Sequence, residues 1–181
     1  SDHLDFYLLH SLNEQSWTKL SELSVLDWID RKKSEGKLRS IGFSFHDRFE
    51  VLERIAESYD GTFCRIQYNY ENEDVQAGTR GLKYAAGKGL AVVIMEPRLG
   101  GSLTHAPDAV RSIWEGANKN PVAPALQWLW NKPEISVVLS GMSAMEQVLQ
   151  NVESASASGV GTLKEEDLSL IGKVHAKYSE I

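Results

Sequence analysis

The stretch "LDFYLLHS", Leu4–Ser11, decides how the rest of the chain is read. Five of its first six residues are apolar with no alternation. That predicts a strand covered on both faces in a parallel sheet, and it ends on a histidine followed by polar residues. Four further runs share this character: "SIGFSF" (Ser40–Phe45), "FCRIQYN" (Phe63–Asn69), "AVVIME" (Ala91–Glu96) and "ISVVLS" (Ile135–Ser140). A longer amphipathic stretch follows each of the five, the pattern of repeated βα units around a parallel sheet.

The helical stretches carry their own punctuation. The first presents Leu23, Leu26, Trp28 and Ile29 and is expected to stop at Gly36, where a left-handed residue closes a helix. Asp47 with Glu50, and Ser143 with Glu146, have capping-box spacing. A third helix is expected near 80–88, closed by Gly89, and a terminal helix from "TLKE" (Thr162–Glu165), packed by Leu168, Ile171 and Val174. The longest connection, from Glu96 to Ile135, holds "PRLGG" and the apolar stretch "ALQWLW". A long loop leaving the carboxyl end of a parallel strand is where ligand contacts are usually built. The tryptophans of that stretch are read as core.

Composition narrows the classes. With 181 residues, 42% hydrophobic and 24% charged, the chain can bury one substantial core. A net charge of -6 without a dense basic run argues against nucleic acid as a partner. No apolar run is long enough to span a bilayer. The single cysteine, Cys64, leaves no disulfide framework and no cysteine-rich metal site, which fits a reducing cytoplasm.

The ordered set "DFYLLH", "GKLRSIGFS", "IQYNY", "VVIMEPRLGG" and "LSGMSAMEQVLQNV" resembles the second half of an aldo-keto reductase, from the fourth strand of its (β/α)8 barrel to the eighth. The variants "IGFSFHD" and "QAGTRGLKYAAGKGLAVVIMEP" are similar to the branch whose members carry a ferredoxin-like iron–sulfur tail. The chain has no cysteine-rich tail, and one cysteine cannot supply a cluster's four thiolates, so no iron–sulfur cluster is expected here. The resemblance implies an α/β fold, a partial (β/α)8 TIM barrel of five parallel strands with helices, with residues 1–181 as a single domain. It further implies an NAD(P)H-dependent reductase that moves hydride between a nicotinamide cofactor and a small aldehyde or ketone.

Residue roles follow from the same resemblance. His10 matches the histidine that orients the substrate carbonyl; a neutral imidazole donating one N–H can polarise an oxygen that gains negative charge as hydride arrives. Ser44 and Gln67 match the residues that hold the nicotinamide carboxamide, with Phe45 standing where the family usually has asparagine. Met95 takes the place of an aromatic ring stacked on the nicotinamide, and its thioether can cover the same face. Glu96, Pro97 and Leu99–Gly101 match the loop beneath the pyrophosphate, where glycines permit close backbone approach. Gly141, Met142, Ser143, Gln147 and Asn151 match the turn and helix that grip the adenosine half. The basic residue that commonly pairs the 2′-phosphate of NADP falls at Ser143 or Gln147, both uncharged, so NADP is expected from the family while NAD stays open. Without the resemblance, each of these would read as an ordinary structural polar residue or turn.

No residue matches the family's catalytic aspartate, tyrosine and lysine, which lie before the fourth strand. A barrel of this type takes about 250 residues. The expectation is therefore a carboxyl-terminal portion of a reductase that is inactive by itself and able to pair with another copy through exposed half-barrel surface. Two other classes are weighed: a non-catalytic α/β binding or interaction module, and a metal-dependent barrel hydrolase. The latter lacks ligands, since only His10 and His46 stand near strand ends and no HxH pair occurs.

Overall fold

The β-rich runs form strands and the amphipathic runs form helices, as their periodicities require. The computed structural model describes residues 2–181. The strands are β1 (Leu4–Leu12), β2 (Leu38–Phe45), β3 (Phe63–Gln67), β4 (Ala91–Met95) and β5 (Ile135–Val138). Among the described residues eight α-helices, singly or in pairs, follow the strands: α1 (Glu14–Glu22), α2 (Val25–Ser34), α3 (Phe49–Ser58), α4 (Gly78–Gly87), α5 (Asp108–Gly116), α6 (Val122–Trp130), α7 (Met145–Ser156) and α8 (Glu165–Tyr178). The fold is α/β, with five parallel strands taken in chain order and a sheet that does not close. The chain divides into two compact units, residues 1–67 with 74–94, and residues 68–73 with 95–181.

In the first unit β2 is the central element. It pairs in parallel with β1, Phe6 opposite Ser40 and Leu8 opposite Gly42, and with β3, Phe43 opposite Cys64. Five of its last six residues are buried, and Ile41, Phe43 and Phe45 are at most 6% exposed. A Cβ added at Gly42 would lie 2.4 Å from the Phe63 carbonyl oxygen, so β3 can approach β2 only where that side chain is missing. Ile29 of α2, Leu52 and Ile55 of α3, and Leu82 and Ala85 of α4 supply the helical layer.

Several expectations are corrected. β1 is not covered on both faces: Leu4 is 48% exposed and Phe6 70%. It is an edge strand paired with β2, and the cover of its outer apolar residues is sparse: Phe6 meets the Phe63 ring edge-on, with centroids 5.8 Å apart. The first helical stretch is two helices, because Ser24 takes a left-handed conformation (φ 54°) and leaves Leu23 exposed between them. Asp47 does not form a capping box with Glu50. Its carboxylate instead accepts from the Glu14 N–H at 2.7 Å, at the start of α1, and from the Arg48 N–H at 2.8 Å. A carboxylate at a helix N-terminus satisfies an orphan donor and complements the dipole, and this one does so for a helix 33 residues away.

The second unit has its own core. Trp128 of α6 stacks against Tyr68 with ring centroids 5.3 Å apart and meets Tyr70 edge-on at 6.3 Å. Lys132 lies 3.9 Å over the Trp128 ring. Leu103, Val110, Trp114, Leu126, Ile171 and Val174 are buried around them, so the tryptophan reading as core holds for Trp128. α8 is tied to the segment after β3 by His175, whose ring nitrogen is 3.2 Å from the Glu71 carboxylate. The expected capping pair at Ser143 and Glu146 is replaced: α7 is capped by Gln147, whose side-chain oxygen accepts from the N–H groups of Ser143 (2.8 Å) and Ala144 (3.3 Å). An amide two residues into the first turn reaches back to the orphan donors more easily than Glu146, which sits on the neighbouring face.

Asp47 gives a test of the first unit. Burial works against its ionisation, but the Glu14 and Arg48 N–H donors and the Arg48 and Arg54 charges outweigh it and hold the carboxyl below the usual aspartate range. A depressed folded value means the stabilisation is complete above that range and is lost as pH falls through the lowered value. Asp47→Ala is predicted to cost about 1 kcal/mol near neutral pH. In urea titrations the gap from the unsubstituted chain should narrow progressively below about pH 4.

Candidate active site

In the first unit the residues singled out from sequence stand at the carboxyl ends of their strands. His10 is near the end of β1, exposed, with Ser44 of the neighbouring strand 3.3 Å from its Nδ1. Ser44 is 1% exposed, and its Oγ accepts from the Ser11 N–H at 2.6 Å. The same hydroxyl can donate its proton to His10 Nδ1, an arrangement in which the imidazole proton sits on Nε2. His10 then carries a donor N–H and a fixed ring, the combination needed to polarise a carbonyl oxygen. Ser11 reaches this arrangement at the cost of a positive φ of 53°.

Gln67 closes β3. Its Oε1 accepts from Gln76 Nε2 at 3.1 Å, so its remaining capacity is its own amide N–H donors. Those suit the oxygen of a carboxamide. Cys64, also on β3, is buried and its thiol is pushed up to about 12 by desolvation, which leaves it a packing residue.

The second unit gathers the remaining candidates at one turn. Met95 is 5% exposed and ends β4. Glu96 follows with φ 55°, and the chain then runs through Pro97 and Arg98 into a single 3-10 turn at Leu99–Gly101. Arg98 Nη2 donates to Ser140 Oγ at 2.7 Å and to the Gly141 carbonyl at 3.1 Å. Asn151 of α7 donates from Nδ2 to the same Ser140 Oγ at 3.0 Å. Glu96–Leu99, Gly141 and Asn151 are therefore brought into one hydrogen-bonded assembly, centred on a serine hydroxyl. Met142 is 48% exposed beside it, and the N–H groups of Ser143 and Ala144 are occupied by Gln147.

A nicotinamide dinucleotide can be tested against these residues. Asn151 is only 7% exposed, and its Oδ1 has no hydrogen-bond partner. A buried acceptor left alone is costly, and a ligand amino group would satisfy it. Arg98 brings a cation to the turn that precedes α7, and Gly101 at φ 100° leaves backbone open to a close approach. The residue types therefore fit an adenosine with phosphate.

Two residues escaped the sequence reading. Arg98 stands between Pro97 and Leu99, both singled out, and is the only charged residue of "PRLGG". Asn69, 0% exposed, donates from Nδ2 to the Glu96 carbonyl at 3.1 Å and accepts from the N–H groups of Glu71 and Asn72. An asparagine shortly after a strand end, with polar residues close behind it, is the sequence signal of an Asx turn.

An unclosed sheet of parallel βα units, with polar side chains collected at strand ends, defines an α/β protein of the barrel-derived kind. The aldo/keto reductase family model matches residues 1–175, and the chain belongs to that family. Among solved structures it is similar to aldo-keto reductase AKR11C1 from Bacillus halodurans in its holo form, with 21% identity and a TM-score of 0.77 over 96% of this chain and 62% of that one. It is also similar to an aldo-keto reductase from Klebsiella pneumoniae in complex with NADP and acetate, with 18% identity and a TM-score of 0.73 over 97% of this chain and 60% of that one. The chain thus spans about three-fifths of the length of these structures. No curated protein matches it. Among the described residues no helix is long and apolar enough to cross a membrane, and no group of three His, Cys, Asp or Glu side chains could hold a metal ion.

The shared serine predicts a measurable effect. Ser140→Ala removes the acceptor of both Arg98 and Asn151, one bond charge-assisted and both partly exposed. It should lower stability by about 1 kcal/mol in urea unfolding. Ser140→Thr, which keeps the hydroxyl, should recover most of that loss.

Proposed function

We propose that this chain is the cofactor-handling part of an NAD(P)H-dependent oxidoreductase that moves hydride between a nicotinamide and an aldehyde or small ketone. The observation that carries the reading is Asn151, a buried amide whose Nδ2 is fixed on Ser140 and whose Oδ1 is unpaired. In the second unit Asn151 receives the adenine, while Arg98 and the backbone from Leu99 to Gly101 serve the pyrophosphate. Gln147 is a neutral, movable cap on α7, and a phosphate can take over the Ser143 and Ala144 N–H groups from it. By the family resemblance Gln67 takes the role of a carboxamide donor and Met95 that of the residue covering the nicotinamide ring; each role rests on that resemblance.

The cofactor, when bound, supplies the hydride. His10 would hold the carbonyl substrate through Nε2–H, with its tautomer kept by Ser44. NADP is the preferred dinucleotide in this reading because the Klebsiella pneumoniae relative was crystallised with NADP; Arg98 at the pyrophosphate would serve NAD equally. Turnover by this chain alone is not expected, because an imidazole that polarises a carbonyl does not replace a tyrosine proton donor tuned by a lysine. The single buried thiol suits a reducing compartment such as the cytoplasm.

Titration of intrinsic fluorescence with NADPH and with NADH tests the reading. Saturable binding, tighter for NADPH, is expected, and Asn151→Ala should weaken it about tenfold or more. Failure of both dinucleotides to bind would remove the cofactor reading and leave a non-catalytic α/β binding module. Self-association belongs to the same proposal. Leu4 and Phe6 of β1, and separately Met145, Leu149 and Val152 of α7, present exposed apolar side chains. The mass measured by light scattering should rise with protein concentration, and a constant monomer mass would exclude pairing through these surfaces.

A further inference from the structure

We propose that Asn69 is a positioning residue for the loop after β4: it holds the Glu96 backbone in the conformation from which Pro97–Gly101 departs, and so sets how that loop meets a dinucleotide. The second half of this statement rests on the cofactor reading above; the first does not. Asn69 is fully buried, two residues beyond the end of β3. Its Oδ1 accepts from the Glu71 N–H at 3.1 Å and the Asn72 N–H at 3.0 Å, which fixes the plane of the amide. The Nδ2 on the other side of that plane is therefore aimed, and it donates to the Glu96 carbonyl at 3.1 Å.

That carbonyl belongs to a residue with φ 55°, a left-handed conformation that glutamate rarely adopts. The same oxygen accepts from the Leu99 N–H at 3.0 Å, which closes the turn beginning at Glu96. A second tie runs alongside, from the Tyr68 N–H to the Met95 carbonyl at 3.3 Å. From this anchored point the loop carries Arg98 to Ser140 and Gly141. Packing alone would be served by an apolar residue at position 69. Only a side chain with both an acceptor and a donor can hold its own turn and a second loop together, and asparagine has that pair at the right reach. Aspartate keeps the acceptor and loses the donor.

That difference provides the experiment, made on the full chain by amide hydrogen exchange and NADPH titration. In Asn69→Asp the Leu99 amide should exchange about tenfold faster, since its acceptor is no longer held, while the Asn72 amide keeps its protection. The dissociation constant for NADPH should rise about tenfold. Adding Glu96→Gly, which makes a positive φ easy, should restore the protection of Leu99. Asn69→Ser, which introduces no buried charge and whose hydroxyl can still accept from its own turn but is too short to reach the Glu96 carbonyl, makes the Leu99 comparison if the aspartate variant does not fold. Unchanged Leu99 exchange in the folded variant overturns the proposal, and so does equal acceleration at Leu99 and Asn72, which would mark general loosening. Faster Leu99 exchange in a protein that binds neither NADPH nor NADH would uphold the positioning of the loop and overturn the cofactor reading instead.

Discussion

Parallel pairing is the constraint from which the rest of this molecule follows. Two neighbouring strands that run the same way cannot be joined by a tight turn, so the chain must return along a helix before each new strand. Every connection that leaves a carboxyl end is therefore held by a strand before it and a helix after it. His10, Ser44, Gln67 and Met95 all stand at such ends. The ladder that fixes Phe43 opposite Cys64 and Leu8 opposite Gly42 also fixes which neighbouring-strand side chain reaches His10. A register slip of one residue would turn Ser44 to the other face and put Phe43 or Phe45 in its place.

The strands were legible because their signal is local. Runs of β-branched and aromatic residues bounded by polar or glycine residues mark β2 to β4 to within about two residues, the usual uncertainty at strand ends. β1 was found but its surroundings were not. An uninterrupted apolar run says that both faces seek cover, and Phe6, 70% exposed with only the edge-on Phe63 ring against it, shows that the described residues provide little on one side. Caps were the least legible feature. Asp47 has the spacing of a capping box with Glu50, yet Glu14 lies 33 residues earlier and nothing in the intervening sequence announces the contact. Spacing reports what a residue can do for its own helix, whereas proximity in the fold decides which helix it serves.

The same division explains the site. His10 and Asn151 were found through their places in ordered motifs, and the structure supplies the partners that give them direction, Ser44 in one case and Ser140 in the other. Arg98 went unnoticed because its meaning depends on Ser140 and Gly141, more than 40 residues away. Asn69 was hidden for a related reason: its local half, the Asx turn, is common and structurally bland. What distinguishes it is the remaining amide donor, and the Glu96 carbonyl that takes it is visible only in three dimensions.

The two polar networks differ in how they answer burial. Ser44 in the first unit has both its neighbours within the protein, and its bonds leave His10 as the exposed, outward-acting member. In the second unit the chain closes less completely: Ser140 satisfies Arg98 and one side of Asn151, while the Asn151 carbonyl oxygen remains buried without a donor. A buried acceptor without a partner costs about 1–3 kcal/mol, a large penalty within a helix that could have carried an apolar residue there. Folding alone gives no reason to keep it. The proposed cofactor site would, because the energy recovered when a ligand N–H arrives goes into the complex, and the amide is already oriented by its own Nδ2. In the proposed function the two amides have opposite tasks: Asn69 is satisfied on both sides and would hold a loop still, whereas Asn151 is satisfied on one side only, which would leave the other for a ligand.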